Sequence, residues 1–180
     1  MSDGVQGRAP VLWTARLEMT SLTEDDAAEM AVVLGDLALH EFIGGTPAGE
    51  DALANRYRRW SEGSDTAGET WLNWAIRLRD GGQAAGHLQA TVTTGPAGQA
   101  AEMAWVIGTR WQRRGYAAEA ANALVQWLAE AGVTQVSACI YPGHRASERV
   151  AERAGLELTS EVSDGERVWR RELGRPAAAG

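Results

Sequence analysis

The segment Thr109–Ala118 holds the residues best suited to bind a ligand. It joins an apolar run to a helical pattern, so it lies at a helix N-terminus, where backbone N–H groups are unpaired and the helix dipole is positive. Gly115 lets the backbone approach a ligand closely, and Ala117 leaves room beside it. With Arg113 and Arg114, these features indicate an anion-binding loop, most suited to a pyrophosphate. An ordinary strand-to-helix turn is the alternative interpretation.

Several other kinds of site are excluded by residues that are missing. The loop has no Lys-Ser/Thr pair, so it is not a Walker A motif. It has only one of the three glycines of a dinucleotide-binding fingerprint, so it is not that motif either. Cys139 is the only cysteine, which excludes an intrachain disulfide and a cysteine metal cluster. The histidines His40 and His87 are too scattered to indicate a metal site, and we expect none.

The hydrophobic patterns predict the elements that position this loop. Alternation predicts strands at Leu12–Ser21, Trp71–Arg79, Ala85–Thr93, Ala101–Gly108, Val133–Tyr141, Leu156–Glu161 and Arg167–Leu173. Helical spacing and capping residues predict helices from Thr23 to about Leu34, at Leu37–Phe42, from about Ala48 to Trp60, at Ala117–Ala131 and at about Arg145–Ala154. This order indicates a mixed α/β (α+β) fold, with one βαβ crossover at residues 101–141 in an otherwise antiparallel sheet.

Length and composition limit the kinds of protein that this chain can be. The 180 residues are 44% apolar and 23% charged, which suits one globular domain. We expect that domain at residues 12–174, with a flexible N-terminus at 1–11 and a flexible tail at 175–180. The net charge of −7 disfavours a nucleic-acid partner. No apolar stretch is long enough to span a membrane and no secretory signal is present, so we expect a cytoplasmic protein without a membrane partner.

The loop and its surroundings resemble a known family. Gln112-x-x-Gly115-x-Ala117 resembles the Gln/Arg-x-x-Gly-x-Gly/Ala signature of the Gcn5-related N-acetyltransferases (the GNAT family). The segment from His144 to Leu156 is similar to the family's Asn-x-x-(Ser/Ala)-x-x-Val-x-x-x-x-Gly-(Phe/Leu) segment. Residues 102–107 resemble the fourth strand of the bacterial-type RimJ/RimL-like branch. The resemblance covers roughly residues 12–173, together with the element order.

The resemblance implies a fold and a cofactor. The GNAT fold has a mostly antiparallel sheet of about seven strands, flanked by helices, in which the fourth and fifth strands splay apart. Acetyl-CoA would enter that gap as the acetyl donor, and no metal would be needed. The residues lining its pantetheine arm would be Trp105, Val106 and Ile107. Those holding its pyrophosphate would be Gln112, Arg113, Arg114, Gly115, Tyr116 and Ala117. His144 and Ser147 would also contact the cofactor.

The same resemblance suggests catalytic residues for direct attack by an amine in a ternary complex. Glu102 would be the general base, with a solvated strand carboxylate as the alternative. Ser147 would protonate the leaving thiolate, with a hydroxyl serving local backbone donors as the alternative. Many relatives instead have a Tyr where this chain has Ala151. His144 replaces the usual Asn, and cofactor contact or helix capping is favoured over a proton shuttle. Cys139 is expected to be a core or pocket residue rather than a nucleophile.

The sequence does not identify the amine that would accept the acetyl group. The candidate acceptor-binding residues are Asp36, His40, Glu41, Asn73, His87 and Gln89. The acceptor would be a peptide or protein α-amine, or a small cationic amine such as a polyamine or aminoglycoside. A non-catalytic acyl-CoA-binding regulatory module is the alternative function. A homodimer is suggested by analogy with relatives.

The tryptophans divide into core residues and candidate contacts. Trp74 and Trp127 lie on apolar stripes and are expected in the core. Trp71 and Trp111 are expected to be freer to meet a ligand or partner.

Overall fold

The computed structural model describes residue 5 and residues 7–174. Within this part of the chain, one sheet contains eight strands in the order β1-β2-β3-β4-β5-β6-β8-β7. The strands are β1 (Leu12–Trp13), β2 (Leu17–Ser21), β3 (Glu69–Leu78), β4 (Ala84–Gly95), β5 (Gly98–Ile107), β6 (Val133–Ile140), β7 (Glu157–Ser163) and β8 (Glu166–Glu172). The expected tail at 175–180 lies outside the described residues.

Five α-helices of the described chain flank the sheet. They are α1 (Ala27–Val33), α2 (His40–Ile43), α3 (Glu50–Glu62), α4 (Tyr116–Glu130) and α5 (Arg145–Arg153). Short 3-10 helices precede α1, α2 and α4, at Glu24–Asp26, Leu37–Leu39 and Thr109–Trp111. The first begins at a capping box between Thr23 and Asp26, as the sequence pattern predicts.

The sheet is covered by helices on both faces. Leu72 and Trp74 of β3 pack in the cluster that includes α4 and α5. Ala75, which points to the opposite face, packs with α1 and α3. Asn73 shares that second face and is only 6% exposed, because the helical layer covers it. The β3 face that carries Asn73 and Ala75 is therefore buried at these residues, although Asn73 is polar.

The β5–α4–β6 crossover gives the sheet its one parallel pairing among the described strands. β5 pairs with β6 only from Gln99 with Val133 to Glu102 with Ser137. On its other side, β5 pairs with β4 along its whole length, from Gly98 with Gly95 to Ile107 with Gly86. β6 continues to Ile140 against β8. The two strands therefore diverge after Glu102, as the resemblance implies for the family's fourth and fifth strands.

Two sequence expectations differ from the structure in detail. The predicted strand Leu12–Ser21 is two short antiparallel strands, because residues 14–16, of which Ala15 and Arg16 are exposed, turn the chain between them. Trp111 is 8% exposed and packs in the core, so the expectation that it is free to meet a ligand is wrong. The expected domain start at residue 12 stays a prediction, but Val5 and Ala9 also lie buried in the main core.

We expect Gly86→Ala to destabilise the protein by about 1–3 kcal/mol through overpacking. A Cβ at Gly86 would collide with the Val106 carbonyl oxygen and press on the backbone of Ile107, so β4 and β5 would have to separate. Chemical denaturation measures the loss. Gly95→Ala is the control, because that site in the same strand has open space. Equal effects of the two substitutions would contradict a close approach at Gly86.

Candidate active site

The opening between β5 and β6 leaves an edge of β5 without a strand partner. The Gly108 amide donates to the Ala85 carbonyl at 2.9 Å, and successive residues turn their N–H groups to opposite sides of a strand. The amide of Val106 therefore turns toward β4, while those of Trp105 and Ile107 turn toward the opening. These two amides can pair with an extended amide-bearing ligand.

The loop before α4 closes one end of this opening. The Gln112 side-chain amide donates to the Ile107 carbonyl at 3.1 Å, so it fastens the loop to the end of β5. The Gln112 backbone amide donates to Thr109 at 3.3 Å. Gln112 therefore positions the loop, and its backbone N–H already has an acceptor.

The rest of the loop is built to receive an anion. Gly115 has a φ of +82° and Arg113 a φ of +61°, so the backbone bends sharply before the helix. Among the described residues, no protein group accepts a hydrogen bond from the amides of residues 113–117. These amides lie at the N-terminus of α4, beside the exposed side chains of Arg113 and Arg114. Unpaired amides and the helix dipole together favour a phosphate here.

An ion pair between residues far apart in sequence holds this loop in place. Arg16, in the turn between β1 and β2, lies 2.6 Å from the Glu119 carboxylate of α4. It also donates to the Arg114 carbonyl at 2.9 Å, and its guanidinium lies 4.7 Å from the centre of the Tyr116 ring. The partners are 103 residues apart, so no local pattern connects them.

The Glu119 carboxyl has a lowered pKa because of its hydrogen bonds to the β1–β2 turn. Burial opposes ionisation, but hydrogen bonds from Thr14, the Arg16 amide and the Arg16 guanidinium outweigh it and lower the pKa of Glu119. A lowered folded-state pKa adds stability above the unfolded value, and that stability is lost as the pH falls through the folded value.

Glu102 lies where the two strands part. It is the last β5 residue paired with β6, opposite Ser137, and its side chain is exposed. The Cys139 thiol lies 3.8 Å from the Glu102 carboxylate. Burial first, and then the charge of Glu102, raise the pKa of this thiol to about 11. Cys139 is therefore protonated at neutral pH and donates toward the carboxylate.

The segment that contains α2 spans both sides of the opening. Asp36 accepts a hydrogen bond of 2.7 Å from Thr109, which follows β5. Phe42 stacks on His144, which follows β6, with ring centres 4.2 Å apart and planes 8° apart. The Tyr141 ring lies 6.3 Å from the Phe42 ring. The sequence does not predict the contact of Phe42 with His144, because a lone aromatic in a short helix carries no distinctive pattern.

His144 and Ser147 lie at the start of α5. His144 occupies the N-cap position, but its side chain makes no capping hydrogen bond. Burial lowers the pKa of His144, and the opposing charges of Glu148 and Glu41 do not reverse the shift. The ring is therefore neutral at pH 7. Ser147 is half-buried in the first turn of this helix.

The candidate acceptor residues fall into two groups. Asp36, His40 and Glu41 belong to the segment of α2. Both oxygens of Asp36 already accept hydrogen bonds, from Thr109 and Ala38, and the Thr109 bond is the main reason that the Asp36 pKa is lowered. His40 Nδ1 lies 3.0 Å from the Gly44 carbonyl oxygen.

The second group lies on the sheet, on the same face as Glu102. Gln89 pairs with Asn73 on one side and with Ala104 on the other. His87 pairs with Ala75 and Val106. Burial, with a contribution from Arg56, lowers the pKa of His87 to about 4, so its ring is neutral at pH 7.

No group of three or more His, Cys, Asp and Glu in the described residues is placed to hold a metal ion. The same part of the chain contains no helix long and apolar enough to cross a membrane.

Comparison with known protein families identifies the family of this chain. A family model described as an acetyltransferase (GNAT) domain matches residues 16–157. The chain belongs to the GNAT acetyltransferase family. The predicted mixed α/β fold and the predicted class of enzyme are thereby confirmed. No curated protein matches the chain significantly in sequence.

Solved structures share the GNAT fold over most of the chain. A GNAT-family acetyltransferase from Bacillus anthracis has a TM-score of 0.73 and 18% identity, covering 91% of this chain and 99% of its own. RimL, a ribosomal L7/L12 alpha-N-protein acetyltransferase in complex with coenzyme A, has a TM-score of 0.73 and 15% identity, with coverages of 91% and 98%. An aminoglycoside acetyltransferase in complex with coenzyme A has a TM-score of 0.68 and 17% identity, with coverages of 87% and 94%. At these identities the likeness is one of fold.

We expect Glu119→Gln to destabilise the protein at pH 7 by about 1 kcal/mol, because the partly exposed ion pair with Arg16 is lost. The difference from the unsubstituted protein should shrink as the pH falls below the usual glutamate range, where Glu119 itself becomes protonated. Denaturation at several pH values measures this. Glu152→Gln, at an exposed position in α5, is the control. A difference that does not depend on pH would contradict the role of the Glu119 charge.

Proposed function

We propose that this acetyltransferase moves an acetyl group from acetyl-CoA to a primary amine by direct attack in a ternary complex. The observation that carries the proposal is the opening between β5 and β6. It has free amides along one wall, an anion-binding loop at one end and the Glu102 carboxylate where the strands meet. These features match what a long thioester with a pyrophosphate and an amine would need.

Different residues would bind different parts of acetyl-CoA. The pyrophosphate would accept hydrogen bonds from the amides of residues 113–117, with Arg113 and Arg114 adding charge. The pantetheine amides would pair with the gap-facing backbone of Trp105 and Ile107, and the Val106 side chain would line the floor. His144 and Ser147 would contact the arm from the other wall.

The chemistry needs a neutral amine, a stabilised oxyanion and a proton for the departing thiolate. Glu102 would take a proton from the acceptor ammonium, directly or through water. The amine nitrogen would then form a bond to the thioester carbonyl carbon, and the carbon–sulfur bond would break as the intermediate collapses. A gap-facing amide of β5 would donate to the oxyanion. Ser147 would donate its hydroxyl proton to the departing thiolate and would regain a proton, directly or through water, from the positively charged nitrogen, which becomes the neutral amide.

Two acceptor classes remain in the proposal. The resemblance of residues 102–107 to the RimJ/RimL-like branch favours a peptide or protein α-amine. The acidic net charge favours a small cationic amine. The shared fold with RimL and with an aminoglycoside acetyltransferase supports either class, because acceptors vary on a common scaffold.

Gly115→Val should weaken acetyl-CoA binding at least about tenfold, because a β-branched residue resists positive φ and would displace the loop amides. Its Cβ would also lie 3.4 Å from the Arg16 guanidinium. Calorimetric titration with acetyl-CoA measures the affinity. Gly165→Val imposes similar strain, at φ +85° in the β7–β8 turn, away from the opening. Unchanged affinity in Gly115→Val would contradict the placement of the pyrophosphate.

Glu102→Gln should reduce kcat/KM by about 10²–10⁴-fold, the usual contribution of a general base, and leave acetyl-CoA affinity unchanged. Thiol release from acetyl-CoA with an amine panel measures turnover, and calorimetry measures binding. Glu157→Gln, at an exposed position in β7, removes the same charge elsewhere. If the unsubstituted protein binds acetyl-CoA but acetylates no amine, the chain is a binding module. If Glu102→Gln keeps full turnover, Glu102 is not the base.

A further inference from the structure

Residues 36–43, which contain α2, lie across the opening between β5 and β6, and we call them the α2 strap. Tyr141 directly follows β6 and is four residues beyond Ser137, the partner of Glu102, so it lies on the same face of the sheet as Glu102. The Phe42 ring lies beside the Tyr141 ring, which places the strap on this face. The helices α4 and α5 pack on the other face. The strap therefore covers the side from which an amine would approach, which we call the amine side.

The first half of the α2 strap is fixed to the end of β5. Gly108 packs so closely on the end of α1 that a Cβ there would lie 2.6 Å from the Val33 carbonyl oxygen. Asp36 then accepts its hydrogen bond from Thr109, and the Leu39 side chain is buried. These contacts hold this half of the strap beside β5 whether or not the other half moves.

The second half is attached to the β6 side by an aromatic stack. The Phe42 and His144 rings lie 4.2 Å apart and are nearly parallel. A stack of this kind contributes modestly to stability and contains no hydrogen bond. Gly44 and Gly45 follow, with φ of +74° and +73°, and two glycines in succession allow the chain to bend. Loss of the stack would therefore release α2 from β6.

His40 makes the closed position of the α2 strap costly. Its Nδ1 lies 3.0 Å from the Gly44 carbonyl oxygen, which accepts and cannot donate, so Nδ1 carries a hydrogen. The other ring nitrogen, Nε2, is enclosed and has no hydrogen-bond partner among the described residues. An enclosed polar atom without a partner costs free energy that water would restore if the strap moved outward. The Phe42–His144 stack offsets this cost.

An open amine side would expose the thioester to water. Glu102 could take a proton from water as it would from an ammonium. The water oxygen would then bond to the thioester carbon, and the carbon–sulfur bond would break. Acetate and the CoA thiol would leave, with one proton of the water on the sulfur and the other in solvent. This reaction consumes the donor without acetylating an amine, so the transfer reaction needs a cover on this side.

We propose that the α2 strap is a gate on the amine side, and that the stack of Phe42 on His144 is the latch that keeps it closed over a bound thioester. Phe42 is a positioning residue, because it acts through His144 and the strap rather than by touching the reacting atoms. The proposal rests on the proposed function, since it concerns the protection of the same acetyl thioester.

Thiol release from acetyl-CoA without any amine measures the access of water. Phe42→Ala should raise this release about two- to tenfold, the range expected for the loss of one aromatic pair. Phe42→Tyr should keep the low rate, because tyrosine presents the same ring. Leu37→Ala is the matched control, since it removes an apolar side chain that is 71% exposed in the same strap. No increase in Phe42→Ala, or an equal increase in Leu37→Ala, would overturn the proposal.

Hydrogen exchange measures the latch without turnover. In the free protein, the amides of residues 40–44 should exchange about two- to tenfold faster in Phe42→Ala and in His144→Ala, because each variant removes one ring of the stack. The amides of α3 should be unchanged in both variants, and Leu37→Ala should leave residues 40–44 unchanged. Unchanged exchange at residues 40–44 in either ring variant would overturn the latch.

Calorimetric titration with acetyl-CoA separates the gate from the proposed function. If the unsubstituted protein does not bind acetyl-CoA, the proposed function fails, and the shielding role fails with it. If the protein binds acetyl-CoA and Phe42→Ala changes neither exchange nor thiol release, the proposed function stands and the gate is wrong. Faster exchange without faster thiol release also overturns the gate, because the strap then opens without admitting water.

Discussion

The short parallel pairing of β5 with β6 is the constraint on which the site depends. The two strands are joined at one end only, as far as Glu102 and Ser137. Beyond that point each strand keeps a full ladder on its other side, with β4 or with β8. The sheet therefore opens without losing either strand, and in the described chain the facing rows of backbone groups on β5 and β6 lack a strand partner beyond this point. In most proteins an unpaired edge of this kind invites aggregation. Here it lies inside the sheet, where a second β-strand cannot reach it as readily as an extended ligand.

Contacts between residues far apart in sequence hold the elements around the opening in place. Arg16 and Glu119 fasten the start of α4 to the β1–β2 turn. Gln112 fastens the loop to the end of β5. The α2 segment touches Thr109 after β5 and His144 after β6, so it connects the two sides that the strands leave apart. These contacts order the binding groups before a ligand arrives, which lowers the entropy lost on binding.

Local sequence patterns predicted most of the elements and the position of the loop. Alternation found β3 to β6, because each of these strands buries at least one face, and the helical stripe found α4 because one side of it packs on the sheet. The pattern failed at Leu12–Ser21, where Ala15 fits the alternation but lies in an exposed turn. It also could not show that Asn73 is buried or that Trp111 is in the core, since burial depends on which helix covers each face. The Arg16–Glu119 and Phe42–His144 contacts lie outside any local pattern, because their partners meet only after folding.

The chemistry next to Glu102 bears on how the acetyl group would move. An acyl-enzyme route needs an activated nucleophile beside the thioester. The Cys139 thiol lies 3.8 Å from the Glu102 carboxylate, but the pKa of this thiol is raised to about 11. Little thiolate exists at neutral pH, and the neighbouring carboxylate that raises the pKa also repels a second negative charge. The same carboxylate would attract an ammonium and accept its proton. The electrostatics of this pair therefore disfavour attack by the protein and favour attack by the incoming amine, which is the direct transfer proposed for this enzyme.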